Sequence, residues 1–305
     1  MSLGSPTHAI IGAAAPDRMA DHLSRFGFTI RREGILPAVC AMALYGLDRD
    51  VREIRLEAPG SKVGWLRIVE STLDGVAPLP YSHGPALIDL YTRDISQSMQ
   101  LATESRAHPG PTVSYPVAGL GNVYEARATG PDYLSLGFVM SEERRGSLLD
   151  RNPTALHSEL HAYVWTVASI DAALPFWRDE AGMNQLLDSH VDDPGISEFM
   201  ELPRKHVRIR IVHFADADAN PVRFELMEFP DDAGKQTVTL PLRPGLNAPA
   251  FHVADLGAAQ TALPSVRFRP VVNVNTELHR NAMAVSGLAP GGVQFELWQE
   301  TALGR

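Results

Sequence analysis

Val222-Arg223-Phe224-Glu225-Leu226-Met227-Glu228 and Val293-Gln294-Phe295-Glu296-Leu297-Trp298-Gln299 are two copies of one extended segment. In an extended chain, side chains fall on opposite faces at every second residue. Val222, Phe224 and Leu226 therefore share one face, as do Val293, Phe295 and Leu297. The opposite faces carry Arg223, Glu225 and Met227 in the first copy and Gln294, Glu296 and Trp298 in the second. Each strand thus lays an apolar face on a core and projects one carboxylate from the other, at the same point of the repeat. Two related carboxylates on two related strands point to a pocket built by paired modules.

The repetition extends outward from these strands. Residues 167–173 and 253–258 match as an alternating strand that feeds a helix, preceded by residues 162–166 and 248–252. Ala172, Ala173, Phe176 and Trp177 recur at helical spacing, and Gly182 supplies a stop. Alternating runs such as 207–212 follow before the Glu-bearing strand. The N-terminal half has the same rhythm. Residues 8–12 precede a helical stretch from Asp17 to Phe26 that ends at Gly27, and alternating segments run through 51–56 to 65–70. A further unit opens with 86–91 and closes with 133–138, and residues 141–153 are polar and turn-rich. The plan is α+β, four units of one βαβββ pattern paired into two domains. The expected division is a scaffold domain over 1–142, a linker over 143–155 and a pocket-bearing domain over 156–305.

The chain has 305 residues, 45% of them hydrophobic and 21% charged, which suits two globular domains with proper cores. A net charge of -9 argues against nucleic acid as a partner, because phosphate binding needs a basic surface. No apolar run is long enough to span a bilayer, and the first residues lack an export signal, so a cytoplasmic location is expected. The single cysteine, Cys40, excludes an intramolecular disulfide and a Cys-based zinc cage. No phosphate-binding loop, dinucleotide turn or nucleophile elbow is present.

The four-unit plan, with "VASIDAALPFWRDEAGM" at 167–183 and "VADLGAAQTAL" at 253–263, resembles the vicinal oxygen chelate superfamily. Its members include glyoxalase I, extradiol ring-cleaving dioxygenases, methylmalonyl epimerases, and fosfomycin- and bleomycin-resistance proteins. The resemblance implies that paired units curl into half-open barrels. It also implies a divalent metal held by His and Glu from the first and last strands. The stretch from His279 to Glu296 is similar to that of an extradiol dioxygenase, with Glu296 at the ligand position. Gly287-Leu288 stands where that family places a strand tyrosine.

The first-strand histidine implied by the resemblance falls on Ala162 and Ala248, which cannot bind a metal. His161 is one residue early, and by alternation faces the helices unless a bulge turns it inward. His252 has the parity of the missing ligand, further along its strand. Two expectations follow. Either Glu225, Glu296, His252 and His161 form a displaced site for iron, manganese or zinc, or the pocket holds no metal and keeps its carboxylates for hydrogen bonding. Glu225 and Glu296 can also act as acid and base, with His279 as a further acid–base group. Arg223 neutralises Glu225 or clamps an anionic substrate, with Gln294 at the same point of the other copy. Met227 and Trp298 offer an apolar wall, whereas Tyr163 and Trp165 belong to the helix-packed core.

In the N-terminal half, His8 and Glu70 lie near ligand positions of the first unit. The closing strand of the second unit offers Ser135 and Leu136 instead of a carboxylate, so this half is expected to be scaffold. The expected function is that of a glyoxalase- or dioxygenase-like enzyme (lyase, isomerase or ring-cleaving dioxygenase) acting on a small oxygenated, even aromatic, substrate. The alternative is a metal-free small-molecule-binding protein of the bleomycin-resistance type. Both a monomer and a homodimer are compatible with the sequence.

Overall fold

The computed structural model describes residues 2–141, 143–216, 221–232, 234–236 and 240–300. The first unit comprises β1 (His8–Ala13), α1 (Pro16–Ser24), β2 (Thr29–Leu36), α2 (Ala38–Tyr45), β3 (Val51–Glu57) and β4 (Trp65–Glu70). The second comprises β5 (Gly84–Thr92), α3 (Ile95–Glu104), β6 (His108–Val117), β7 (Gly121–Thr129) and β8 (Ser135–Ser141). A short helix, α4 (Leu148–Arg151), closed by a Ser147–Asp150 capping box, lies within the expected linker. The third unit runs through β9 (His157–Thr166), α5 (Ile170–Leu174), β10 (Gln185–Asp192), α6 (Pro194–Phe199), β11 (Arg208–Phe214) and β12 (Arg223–Glu228). The fourth has β13 (Gly245–His252), α7 (Leu256–Ala262), β14 (Arg267–Phe268), β15 (Val272–Val274), β16 (Ala282–Leu288) and β17 (Gln294–Glu300). Among the described residues no helix is long and apolar enough to cross a membrane.

Local chemistry explains why the unit repeats. After three of the four first strands an Asp or Ser caps the helix: Asp94, Ser169 and Asp255 accept from the backbone N–H groups of Gln97, Ala172 and Ala258. The copied last strands add a second tie. Glu228 accepts from the N–H of Ile170 at 2.8 Å, and Gln299 accepts from that of Leu256 at 2.7 Å. The final residue of each copied segment thus satisfies an otherwise orphaned donor at a helix start.

The strands form two curled mixed sheets. One has the order β14-β16-β17-β13-β1-β4-β3-β2, with β15 paired to β16, and the other has the order β10-β11-β12-β9-β5-β8-β7-β6. The α+β class and the two half-barrels are therefore as expected. The partners are not: β1 pairs antiparallel with β13, and β5 with β9. The first unit joins the fourth and the second joins the third, in place of consecutive pairs over 1–142 and 156–305. All four first strands present the same kind of unpaired edge, so nearness in sequence does not select the partner.

Three apolar clusters follow from this arrangement. The largest lies behind the sheets, where helix residues such as Met19, Ala102, Ile170 and Leu256 meet the outer faces of both. Tyr163, Trp165, Trp177, Phe224, Phe251 and Phe295 form its aromatic part. Trp177 lies 4.6 Å from Phe224 of one sheet and 5.7 Å from Phe295 of the other, ring centre to ring centre, and so links them. The other two clusters fill the concave faces. In the sheet of units one and four, Cys40, Ala41, Leu44 and Tyr45 of α2 plug the concavity. In the other sheet, Ile196 and Phe199 of α6 cover it only in part.

Because each sheet draws strands from both halves of the chain, neither half carries a complete barrel. Residues 1–142 and 156–305 produced separately are expected to show no cooperative urea transition by circular dichroism, and the two together to recover one. A cooperative transition in isolated 156–305 would contradict this pairing.

Candidate functional site

The ladders place four residues at equivalent points of the four last strands. Opposite Ile10, Asp89, Val164 and Ala250 of the first strands stand Arg67, Gly137, Glu225 and Glu296. Each of those first-strand residues precedes its helix N-cap by the same interval (10 and 15, 89 and 94, 164 and 169, 250 and 255). One cup therefore receives Arg67 and Glu296, and the other receives Gly137 and Glu225.

In the cup of units two and three, polar groups gather beneath apolar walls. Asp89, Glu125, Glu225, His161, His213 and Arg223 share its lining with Tyr91, Tyr115 and aliphatic residues such as Leu87, Val139, Val164 and Ile211. About 70 Å³ is open to the centres of water-sized molecules, enough for ordered water or a small head group. Arg223 is nearly buried and forks between two imidazoles, reaching His213 Nδ1 at 2.9 Å and His161 Nε2 at 2.7 Å. It also donates to the Tyr91 hydroxyl at 2.5 Å, and the Tyr91 ring stacks on His161. His213 Nε2 faces Glu225 Oε2 at 2.8 Å. Both imidazole nitrogens that face Arg223 must be acceptors, so His161 and His213 are neutral. Burial lowers the basicity of both, and the Arg223 charge lowers it further.

The carboxyl groups respond in the opposite sense. Burial, and then the charges of Glu125 and Glu225, push Asp89 well above the usual carboxylate range. Its Oδ1 has no hydrogen-bond partner among the described residues. A β-carbon on Gly137 would lie 2.0 Å from that oxygen, so glycine there is what admits the Asp89 carboxyl. Glu125 is pushed up to about 7, first by burial and then by the Glu225 charge, against the lowering effect of the Tyr115 hydroxyl that donates to it.

The cup of units one and four is closed. Arg67, fully buried, donates from Nε to Glu53 at 3.1 Å and from NH1 to the Tyr45 hydroxyl at 2.8 Å, and lies 3.6 Å from Glu296. Trp298 Nε1 donates to Glu296 at 2.7 Å, and the Arg67 guanidinium lies 4.6 Å from the Trp298 ring centre. Burial raises Glu296, opposed by Arg67. For Glu53 burial also acts upward, but Arg67 and His279 outweigh it and hold the carboxyl low.

Neither donor set fits a divalent metal. In one cup the guanidinium of Arg223 takes the imidazole lone pairs that a metal needs. In the other, Arg67 is itself the cation between the carboxylates. Among the described residues no three His, Cys, Asp or Glu side chains converge as a metal site.

The residues expected to form one site are divided between two sheets. Glu225, His161, Arg223 and Met227 line the cup of units two and three. His252, His279, Gln294, Glu296 and Trp298 lie in the other sheet or the loop that serves it. The four expected metal ligands are therefore not brought together, because the fourth unit pairs with the first. His161 does turn inward: the β5–β9 ladder runs from Asp89↔Ala162 to Leu90↔Leu160, which leaves His161 as the bulged residue. Arg223 does not touch Glu225 directly but reaches it through His213. His279 is buried, stacks on Trp298 at 4.1 Å and contacts Glu300. His252 Nε2 accepts from the Glu300 N–H at 3.4 Å. The second unit, expected to be scaffold, supplies Asp89 and Glu125. Neither lies on a last strand, where the copied segments place their carboxylates, although Asp89 is a lone charge inside the apolar run 86–91.

No family model matches the sequence, and no curated protein is similar to it at sequence level. Solved structures do match over nearly its full length. Glyoxalase I from Zea mays superposes with a TM-score of 0.64 at 14% identity, covering 97% of this chain and 92% of that one. A point variant of the maize enzyme gives the same score over 97% of this chain and 93% of that one, also at 14% identity. A Bacillus subtilis protein with a provisional dioxygenase assignment gives 0.67 at 11% identity, covering 98% of this chain and 86% of that one. The chain has the paired βαβββ fold of these glyoxalase and dioxygenase-like structures.

Two outcomes follow from the buried charges. Arg67→Met leaves Glu53 and Glu296 buried without their cation and is expected to lower unfolding free energy by about 3–5 kcal/mol in urea titrations. Adding Glu53→Gln and Glu296→Gln should restore most of the loss. Glu125 keeps its proton in the folded state up to about 7, whereas its ordinary value is 4.5, so the folded chain binds more protons between those values. Stability conferred by Glu125 is then full below 4.5 and is lost as pH rises through 7. The difference in unfolding free energy between wild type and Glu125→Gln should fall by on the order of 3 kcal/mol from acid to mildly alkaline pH. A flat difference would remove Glu125 as a perturbed group.

Proposed function

We propose that the chain is a metal-independent enzyme that moves a proton on a small oxygenated molecule held in the cup of units two and three. One observation carries this reading: Asp89, Glu125 and Glu225 converge on an apolar cup served by the guanidinium of Arg223. Groups whose environments separate their proton affinities are the usual means of acid–base chemistry near neutral pH. Glu125, poised near 7, takes a proton from a carbon next to a carbonyl and returns it. Asp89 stays protonated and donates to the substrate. Arg223 offsets negative charge developing on the substrate oxygen, and Ile196 and Phe199 of α6 limit water. The reaction class is isomerase- or lyase-like, in keeping with glyoxalase-like neighbours.

A second reading, ligand sequestration without turnover, draws on the mutual contacts of the polar groups. Tyr115 bonds Glu125, His213 faces Glu225 and Arg223 bonds His161, which makes a rigid cup. The discriminating experiment follows solvent deuterium entering a panel of α-hydroxy ketones and thioesters. Exchange that falls 100-fold or more in Glu125→Gln is expected, within the range of a general acid–base group. Binding without exchange across the panel would leave sequestration as the function.

A further inference from the structure

We infer that the cup of units two and three takes a ligand with a positively charged nitrogen on an apolar body, and that Asp89 is its counter-ion. The inference rests on the proposed function only in using the same cup. Its starting point is an imbalance inside one molecule. At equivalent ladder positions the closed cup has Arg67, a cation supplied by the chain, and the other cup has Gly137, which supplies nothing. In the closed cup, Arg67 meets Glu53 and Glu296 directly. In the other, the carboxyl that faces the glycine is Asp89, and that carboxyl is the one left over.

The remaining acidic groups of this cup are already engaged. Tyr115 donates to Glu125, and His213 faces Glu225. Arg223, the one arginine or lysine among the described lining residues, turns both terminal nitrogens to His213, His161 and Tyr91. Asp89 is 7% exposed, lines the cup and has an oxygen without a partner among the described residues. A buried unsatisfied acceptor is costly, and a charge-assisted hydrogen bond from an ammonium group is among the strongest ways to satisfy it. Asp89 carries its proton while the cup is empty and releases it to solvent when an ammonium group arrives, because a cation beside the carboxyl favours the ionised form. Leu87, Val139, Val164 and Ile211 surround the floor with aliphatic carbon, which suits an apolar body above the charged head. The limited free space favours a small amine over a bulky one.

Benzylamine, benzyl alcohol and benzoate share one body and differ in the head, so they separate the alternatives. Calorimetric titration of the full chain at neutral pH is expected to show benzylammonium binding at least tenfold tighter than benzyl alcohol. Benzoate should not compete. Asp89→Asn, which keeps the shape of the side chain, should remove the preference for the amine while leaving the alcohol's affinity within about twofold. Far-ultraviolet circular dichroism of that variant checks that it is folded. Gly137→Ala, which crowds the Asp89 carboxyl, is the second variant and should weaken the amine selectively. Equal binding of amine and alcohol, or tightest binding by benzoate on Arg223, would overturn the cation inference and leave the acid–base reading standing. Failure of all three probes to bind would overturn this inference, whereas the deuterium exchange experiment decides the acid–base reading independently.

Discussion

A βαβββ unit leaves one edge of its first strand without hydrogen-bond partners, and the whole architecture depends on how that edge is closed. An open edge exposes a row of backbone donors and acceptors and invites pairing with other chains. Here two antiparallel junctions, β1 with β13 and β5 with β9, close the four edges within one chain. The junctions nest the middle pair of units between the outer pair. Once they form, each sheet curls around its own concavity and the helices are confined to a common core behind, where Trp177 touches both sheets through Phe224 and Phe295.

That constraint produces two cups from one repeated pattern, and the cups solve the problem of buried charge in opposite ways. In the outer pair the chain provides its own cation. Arg67 binds Glu53, Tyr45 and Glu296, and α2 seals the space above with Cys40, Leu44 and Tyr45. Burying an ion pair costs desolvation, which is recovered only when the hydrogen bonds are well formed. The result is a filled structural domain. In the middle pair, the equivalent of Arg67 is Gly137, and Asp89 occupies the room that glycine leaves. There, burial and neighbouring carboxylates raise the proton affinity of Asp89 and Glu125.

The same comparison accounts for the poor fit to a divalent metal. A metal site needs free lone pairs on histidines and carboxylates aimed at one point. Each cup has placed a guanidinium among its donors: Arg223 holds His161 and His213, and Arg67 holds Glu53 and Glu296. A fold shared with glyoxalase I and a dioxygenase-like protein thus does not by itself assign a chemistry, because function resides in the site and not in the scaffold. What the middle cup retains is a set of carboxyl groups with raised proton affinities inside aliphatic walls, and the proposed proton transfer draws on these.

The sequence by itself determined the unit and its repetition. Period-two alternation in 222–228 and 293–299 fixed which face is buried, since a one-residue slip would expose Phe224 or Phe295. Asp94, Ser169 and Asp255 cap the helices that follow three of the four first strands. Those are local rules, and they also placed Tyr163 and Trp165 in the core and left His161 awaiting a bulge. The tertiary structure alone decided which first strand meets which. Four similar edges carry no label in a single sequence, and the choice rests on contacts far apart along the chain. That choice separated Glu225 from Glu296, buried His279 against Trp298, and brought Asp89 and Glu125 of a supposed scaffold to the floor of the cup. Protonation followed from the same step, because a carboxyl is perturbed by what packs around it and not by its neighbours in sequence.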